Sequence, residues 1–207
     1  MHFSPPSRLR RGLVGLVVVA LTGLMPLISS SAAVPAAAAS NPSPGYWMVA
    51  SDGGIFNYGG ARFFGSTGAI KLNMPIVGMA STPSGNGYWL VASDGGIFSF
   101  GDAKFLGSTG AIKLNQPIVG LASNGTGQGY WMVAADGGVF AFGSALPLGS
   151  ALGSSFPVVG ITAAKDGLGY SIVRADGTVV NKGSAPLAGS LVGHTLTLPI
   201  VGVAATI

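Results

Sequence analysis

The sequence predicts an all-β protein, a four-bladed β-propeller whose ring is closed by its own C-terminal strand. Three observations lead to this prediction: a repeat of about 42 residues, aromatic and β-branched stretches joined by Asp-Gly turns, and no helical periodicity. The repeats begin at Gly45, Gly87, Gly129 and Gly169, so they are spaced by 42, 42 and 40 residues. A period of this size built from short strands is typical of propeller blades.

Each repeat is interpreted as four short strands, shown here for the first. GYWMVAS alternates as a half-buried strand does, and the Asp-Gly of SDGG predicts a hairpin to GIFNYG. After a glycine turn, ARFFGS is expected to form a third strand. The loop TGAIKLNM then leads to Pro75, which can begin a strand but not interrupt one, so PIVGMAS is the fourth.

The PIVG strands are expected to lie innermost around the axis. Each carries a glycine, as a ring of crowded inner strands requires, at Gly78, Gly120, Gly160 and Gly202. The chain has no cysteine, so packing alone must stabilise the fold. Rings between the blades, each contributing about 1.5–3 kcal/mol when buried, are expected at Phe56, Phe98, Phe140, Trp47, Trp89 and Trp131.

The two ends of the repeat array match each other. The N-terminal blade begins at GYWMVAS without an inner strand, and the segment Pro199–Ile207 is an inner strand without followers. We expect this segment to complete the N-terminal blade, which would remove an exposed edge. A dimer of two opened rings is the alternative, and the matched ends favour a monomer.

Residues 1–39 are predicted to be a secretory signal peptide, which leaves one propeller domain at residues 40–207. Three arginines precede an apolar run over residues 12–28, and small residues follow, as in export signals. Cleavage is expected after Ala39, with Ala33 as the alternative. A retained membrane anchor is disfavoured because the run is only about 17 residues long and contains a proline. The paired arginines leave the twin-arginine export route open.

The predicted mature part is nearly neutral. The chain has ten basic and six acidic residues, but three of the arginines fall in the predicted signal. Seven basic residues then face six aspartates, with no basic stripe to follow a phosphate backbone. This balance excludes nucleic acid as a partner, and no stable membrane insertion is expected after cleavage.

One aspartate recurs in the Asp-Gly turn of every repeat, at Asp52, Asp94, Asp136 and Asp176. A carboxylate in a tight turn accepts backbone N–H groups, so these residues are interpreted as structural. The alternative is a ring of carboxylates that binds cations or a sugar. No metal site is expected, because no second acid stands near any of them and no oxygen-cage spacing is present.

The sequence does not predict an enzyme or a cofactor. Glycoside hydrolysis needs two carboxylates at a set separation, and the remaining acids, Asp102 and Asp166, lie in different repeats. His194 is the single histidine of the predicted mature part and stands in no nucleophile motif. Catalysis would need a pocket that gathers His194 with one of the aspartates.

Two groups of residues are candidate ligand contacts. Tyrosine and tryptophan alternate along the GYW strands and therefore point to opposite sides. In a propeller both sides face other blades, so most of these rings are expected in the core; the alternative is that some reach an edge and stack on sugars. The polar residues of the loop before each inner strand are expected on a rim. The candidates are Trp47, Trp89, Trp131, Lys71, Asn73, Lys113 and Asn115.

The string GYWLVASDGGIFSFGDAKFLGST followed by PIVGLAS resembles a repeat of secreted actinobacterial proteins, often attached to wall-directed hydrolases. The resemblance covers residues 45–207 and implies export, a propeller-like fold and an extracellular or wall-associated location. The fourth copy departs from it at Ser171, Val180 and Lys182. The function expected is a secreted, non-catalytic module that binds a cell-envelope glycan or an extracellular protein through repeated shallow sites. The alternative is a structural wall or surface spacer without a specific ligand.

Overall fold

The computed structural model describes residues 44–206, so the predicted signal peptide and both candidate cleavage sites lie outside the described residues. This part of the chain contains eleven strands and, as the sequence predicts, no helix. Within it, no helix has the length and hydropathy needed to cross a membrane.

The strands form four antiparallel sheets. The first has two strands, in the order β1-β2, and the others have three, in the orders β3-β4-β5, β6-β7-β8 and β9-β10-β11. The strands are β1 (Gly45–Val49), β2 (Ile55–Gly59), β3 (Ile76–Ser81), β4 (Gly87–Ala92), β5 (Ile97–Gly101), β6 (Ile118–Ser123), β7 (Gly129–Ala134), β8 (Val139–Gly143), β9 (Val158–Ala163), β10 (Gly169–Arg174) and β11 (Val179–Gly183).

Each three-stranded sheet crosses a repeat boundary. Its first strand is the PIVG segment of one repeat, and its other two are the GYW and Asp-Gly-flanked strands of the next. Pro75 stands directly before β3, as predicted, and its carbonyl accepts the amide of Ser93 at 2.9 Å. Successive inner strands, β3, β6 and β9, contact one another. The blade-like arrangement expected from the sequence is therefore present.

The predicted ARFFGS strand does not form. Residues 61–66 form no strand, and the sheets have two or three strands where four were expected. The backbone of this segment bonds to side chains: the Arg62 carbonyl accepts the Trp47 indole N–H at 2.8 Å, and the Tyr88 hydroxyl accepts from the Phe64 amide and donates to the Gly65 carbonyl. These groups are consequently not available for a strand ladder.

The inner strands are crowded, as their glycines predict. A Cβ added to Gly120 would lie 3.3 Å from side-chain atoms of Ile161 and Val133. The register of β6 against β7 also shifts between Ile118 and Gly120, which is a β-bulge. The same shift occurs where β3 pairs with β4. Close approach and local bending thus occur at the same place in successive sheets.

Neighbouring sheets join through an aromatic junction, which we define as a tyrosine of one sheet packed against the preceding sheet. Tyr130 is fully buried, lies 5.6 Å from the Trp89 ring, and donates a hydroxyl hydrogen bond to Gly107 at 2.6 Å. Trp131 and Tyr170 meet in the same way at 5.2 Å. Of the predicted inter-blade rings, Trp89 and Trp131 are buried, Phe98 and Phe140 are half-buried, and Phe56 is 54% exposed.

Closure of the ring within one chain is not shown by the structure. β1 pairs only with β2 among the described residues, and residues 201–206 have no strand assignment. Tyr46 on β1 is 58% exposed, whereas its counterpart Tyr88 is fully buried. The first and last elements therefore present uncovered surfaces.

Candidate functional site

The polar loops lie at one end of the strands, and this end of the sheets is the candidate site. We define the loop rim as the loops at residues 67–75, 109–117, 150–157 and 191–199 together with the Asp-Gly turns beneath them. Each loop is tied to its turn; in the second repeat the Thr109 amide donates to the Gly95 carbonyl at 3.2 Å. Thr109 itself is buried, so it anchors a loop whose other polar side chains face solvent.

The loop rim contains three clefts, one at each successive pair of loops. The first, of about 290 Å³, is lined by Asp94 and Asn115 among others. The second, of about 270 Å³, combines Lys113, Asn115 and Asp136 with apolar side chains that include Phe140. The third, of about 370 Å³, contains Asp176 and His194. Each cleft offers hydrogen-bonding groups beside an apolar surface, the mixture that sugar rings and extended peptides bind.

The loop residues predicted as ligand contacts lie on this rim. Lys71, Asn73, Lys113 and Asn115 are all exposed. Lys113 and Asn115 share the second cleft with Gln116, so two amides and an ammonium group converge on one opening. The structure therefore brings Lys113 and Asn115 together at the second cleft, whereas Lys71 and Asn73 line none of the three clefts.

The four recurrent aspartates take the turn geometry expected of structural residues. In each, one carboxylate oxygen accepts the backbone amide two residues ahead, at 2.8 to 3.0 Å. Asp176 also accepts the Thr178 hydroxyl at 2.7 Å, and this bond lowers the pKa of the Asp176 carboxyl. Asp136 also lines the second cleft.

The tryptophans do not lie on the loop rim. Trp89 and Trp131 are fully buried, and their indole N–H groups donate to the carbonyls of Lys104 and Leu146, each at 2.8 Å. Trp47 is half-buried in the same position of the first sheet. A fully buried ring has no face free for a ligand, so Trp89 and Trp131 are core residues, as expected for most of these rings, and not ligand contacts.

A second set of exposed aromatic residues is not predicted from the sequence. Phe63 and Phe105 lie in the segments that follow β2 and β5, and their side chains are 56% and 61% exposed. Each follows an exposed basic residue, Arg62 or Lys104. The sequence contains a signal for these exposed rings, because the Arg/Lys-Phe pair recurs 42 residues apart. The strand predicted for this segment does not show which ring points outward.

Compact polar networks lie at the opposite end of the strands. They link the turn before a hairpin to the residue that follows the second strand of that hairpin. Asp102 accepts the hydroxyls of Thr82 at 2.8 Å and Ser84 at 2.5 Å. In the fourth repeat the roles are exchanged, since Ser184 at the position of Asp102 donates to Asp166 at the position of Ser84, at 2.6 Å. The two acids that stand in different repeats thus perform one structural task.

We expect stability to fall in acid because of these networks. The Ser84 hydrogen bond is the main cause that holds the pKa of Asp102 below its ordinary value, about 3.9. A carboxyl with a depressed pKa stabilises the fold above its ordinary pKa, and this contribution is lost as pH falls through the lower native value. Ser84→Ala should therefore reduce the difference in melting temperature between about pH 7 and pH 3. A difference equal to that of the unaltered protein would contradict this role for Ser84.

His194 and Asp176 share the third cleft, which is the arrangement that an enzyme was expected to need. Both oxygens of Asp176 accept hydrogen bonds from Thr178, one from the amide and one from the hydroxyl. The carboxylate is thereby held ionised at neutral pH and engaged within its own turn. No group of three His or acidic residues suited to a metal ion occurs within residues 44–206.

No protein-family model matches the chain, and no curated protein is significantly similar to it.

Proposed function

We propose that the protein is a secreted, non-catalytic binding module that recognises a cell-envelope glycan through repeated shallow sites on its loop rim. The observation that carries the proposal is the second cleft, where Lys113, Asn115 and Gln116 converge beside Asp136 and the ring of Phe140. The resemblance to secreted actinobacterial repeats supports the extracellular and wall-associated location.

The chemistry of the second cleft suits a glycan. Amide and carboxylate groups exchange hydrogen bonds with sugar hydroxyls, while an apolar surface packs against the faces of the ring. An ammonium group adds attraction for the uronic, phosphate or lactyl acids of envelope polymers. Because clefts recur along the rim, one polymer chain would engage several of them, and avidity would accumulate without any single deep pocket.

A non-catalytic role is supported by the state of the candidate acids. The depressed pKa of Asp176 opposes a role as proton donor, and its oxygens are committed to Thr178. Asp102 and Asp166 are likewise held by hydroxyl groups at the opposite end of the strands, away from His194. These arrangements favour turn formation over proton transfer.

The test is retention of the purified protein on peptidoglycan, wall polysaccharides and chitin, with a glycan array alongside. Lys113→Ala should weaken retention on the matrix that binds by about fivefold, the effect of losing roughly 1 kcal/mol from one charged hydrogen bond. The side chain is exposed, so the melting temperature should stay unchanged.

Lys165→Ala is the matched control. It removes the same charge from an exposed lysine that lies outside the loop rim, in the turn between β9 and β10. Equal losses of retention for both variants would show that the effect comes from net charge alone, which would contradict a site at the second cleft. Absence of retention on every matrix would overturn the glycan proposal and favour a structural spacer.

A further inference from the structure

The first and last elements of the described chain are two halves of the same junction. Inside the array, a PIVG strand pairs with a GYW strand, and the tyrosine of that sheet packs on the preceding sheet. Among residues 44–206, β1 has the GYW strand and the tyrosine but no PIVG strand beside it. Within the same described range, the segment at residues 199–206 has the PIVG sequence without a GYW strand beside it.

The N-terminal face is aromatic and uncovered. Tyr46 and Tyr58 stack at 5.3 Å and are 58% and 47% exposed. Their counterparts in the next sheet, Tyr88 and Phe100, are covered by the preceding sheet. The first sheet thus presents to solvent the surface that the later sheets bury in their junctions.

The C-terminal segment already occupies an inner-strand position. The Ile200 amide donates to the Ala175 carbonyl at 2.9 Å, as the Ile118 amide donates to Ser93 at 2.9 Å. Val203 lies against Gly160, with its Cγ1 3.0 Å from the site of an added Cβ. Its other side is open, since an added Cβ on Gly202 would meet nothing within 4 Å.

The last sheet also has the receiving half of a tyrosine junction. Gly65 and Gly107 have φ of 135° and 130°, and the rings of Phe100 and Phe142 in the following sheet cover them. Gly189 has the same conformation, at φ 129°, and nothing lies within 4 Å of its added Cβ. Gly189 lines an open, mainly apolar cleft of about 720 Å³ together with Ser171, Ala188 and Val203.

We propose that these two surfaces join head to tail between two copies of this chain, so that the first sheet of each copy completes the last sheet of the other. The register follows from the internal junctions, where Gly78 faces Val91 and Met79 faces Leu90. By this rule Gly202 of one copy faces Val49 of the second copy, and Val203 faces Met48. Tyr46 of the second copy then reaches Gly189 of the first copy, and Tyr58 of the second copy covers this glycine.

A second copy fits these surfaces better than closure within one chain. No hydrogen bond joins β1 to residues 199–206 among the described residues, although both segments hold their blade positions. A second copy can use both surfaces without altering the junctions already formed. Two copies supply eight sheets, within the range of four to eight blades in propellers, and a heterologous contact that closes gives a ring instead of a filament.

Disulfide trapping tests the proposal, because the chain has no cysteine of its own. Met48→Cys and Val203→Cys change residues that are 47% and 39% exposed, so each variant should fold. Residues that face each other on antiparallel strands are close enough for a disulfide. When the two single variants are mixed and mildly oxidised, we expect a covalent dimer that contains one copy of each.

Met48→Cys mixed with Ala204→Cys is the matched control, because a one-residue shift turns the second side chain to the other face of the strand. It should give little covalent dimer. The double variant Met48→Cys/Val203→Cys distinguishes pairing between two copies from closure within one chain. A dimer linked by two disulfides supports the proposal, whereas a monomer with an internal disulfide would show closure within one chain and overturn it. Thiols that stay free in both experiments would overturn it as well.

Native mass spectrometry measures the mass of the assembly formed by the purified protein without introduced cysteines. We expect twice the chain mass, and the same spectrum reports whether residues 1–39 have been removed. Gly202→Phe has space in a single chain but would meet Val49 of a second copy, so the mass should halve while the circular dichroism spectrum stays unchanged. A dimer that persists in Gly202→Phe would contradict the predicted register.

Discussion

Trp131→Ala is expected to lower the free energy of unfolding by about 3–5 kcal/mol, the usual cost of removing a large buried ring. The indole is fully buried and packs on Tyr170 at 5.2 Å. Its N–H is also the donor to the Leu146 carbonyl, which the substitution leaves without this partner. Loss of packing and loss of the hydrogen bond therefore act at one junction.

Trp47→Ala is the matched control for this prediction. Trp47 makes the equivalent hydrogen bond to Arg62 at 2.8 Å, but it is only half-buried in the first sheet. We expect a smaller loss of about 1–3 kcal/mol in urea unfolding followed by circular dichroism. Losses of equal size would contradict the difference in burial between the first and third sheets.

Gly107→Ala is expected to destabilise the protein more than Gly189→Ala does, by about 1–3 kcal/mol. Both glycines have φ near 130°, so both substitutions carry a similar backbone strain. At Gly107 the new methyl carbon would also lie 2.4 Å from a ring carbon of Phe142, whereas at Gly189 it would meet nothing within 4 Å. The difference in stability between the two variants therefore measures the packing of the junction without the backbone strain that both share.

Thermal unfolding of the two variants measures this difference, with Gly202→Phe as the background so that both are compared as single chains. In the unaltered background Gly189→Ala should weaken the dimer, because Tyr58 of the second copy would cover that position. Equal melting temperatures in the Gly202→Phe background would show that Phe142 does not press on Gly107 as the structure describes.

Much of the architecture follows from the sequence. Repeat spacing located the sheets, Pro75 marked the start of an inner strand, and Gly120 lies where inner strands crowd. Asp-Gly predicted the turn after β4, where the Gly95 amide donates to the Ala92 carbonyl at 2.8 Å. The proline, glycine and Asp-Gly signals are local, so a single repeat suffices to reveal them.

The features that were missed depend on neighbouring sheets. ARFFGS has the composition of a strand, but Trp47 and Tyr88 take its backbone hydrogen-bonding groups from either side. No pattern within one repeat reports which groups a neighbouring sheet will use.

The loop rim was predicted in part. Lys113 and Asn115 were identified because they recur in a polar loop, and the structure places both at one cleft. The partnership of Asp136 with that cleft was not foreseen, because its turn belongs to the following repeat. The matched ends were recognised, but sequence complementarity alone does not distinguish closure within one chain from pairing between two.

Amide hydrogen exchange at two protein concentrations tests whether identical junctions build the array and leave its two ends complementary. We expect slow exchange in β4, β7 and β10 at both concentrations, because these strands are paired on both sides. β1 and residues 200–206 should exchange rapidly in dilute solution and slowly in concentrated solution. Protection of β1 that does not depend on concentration, or rapid exchange in β7, would contradict this arrangement of junctions.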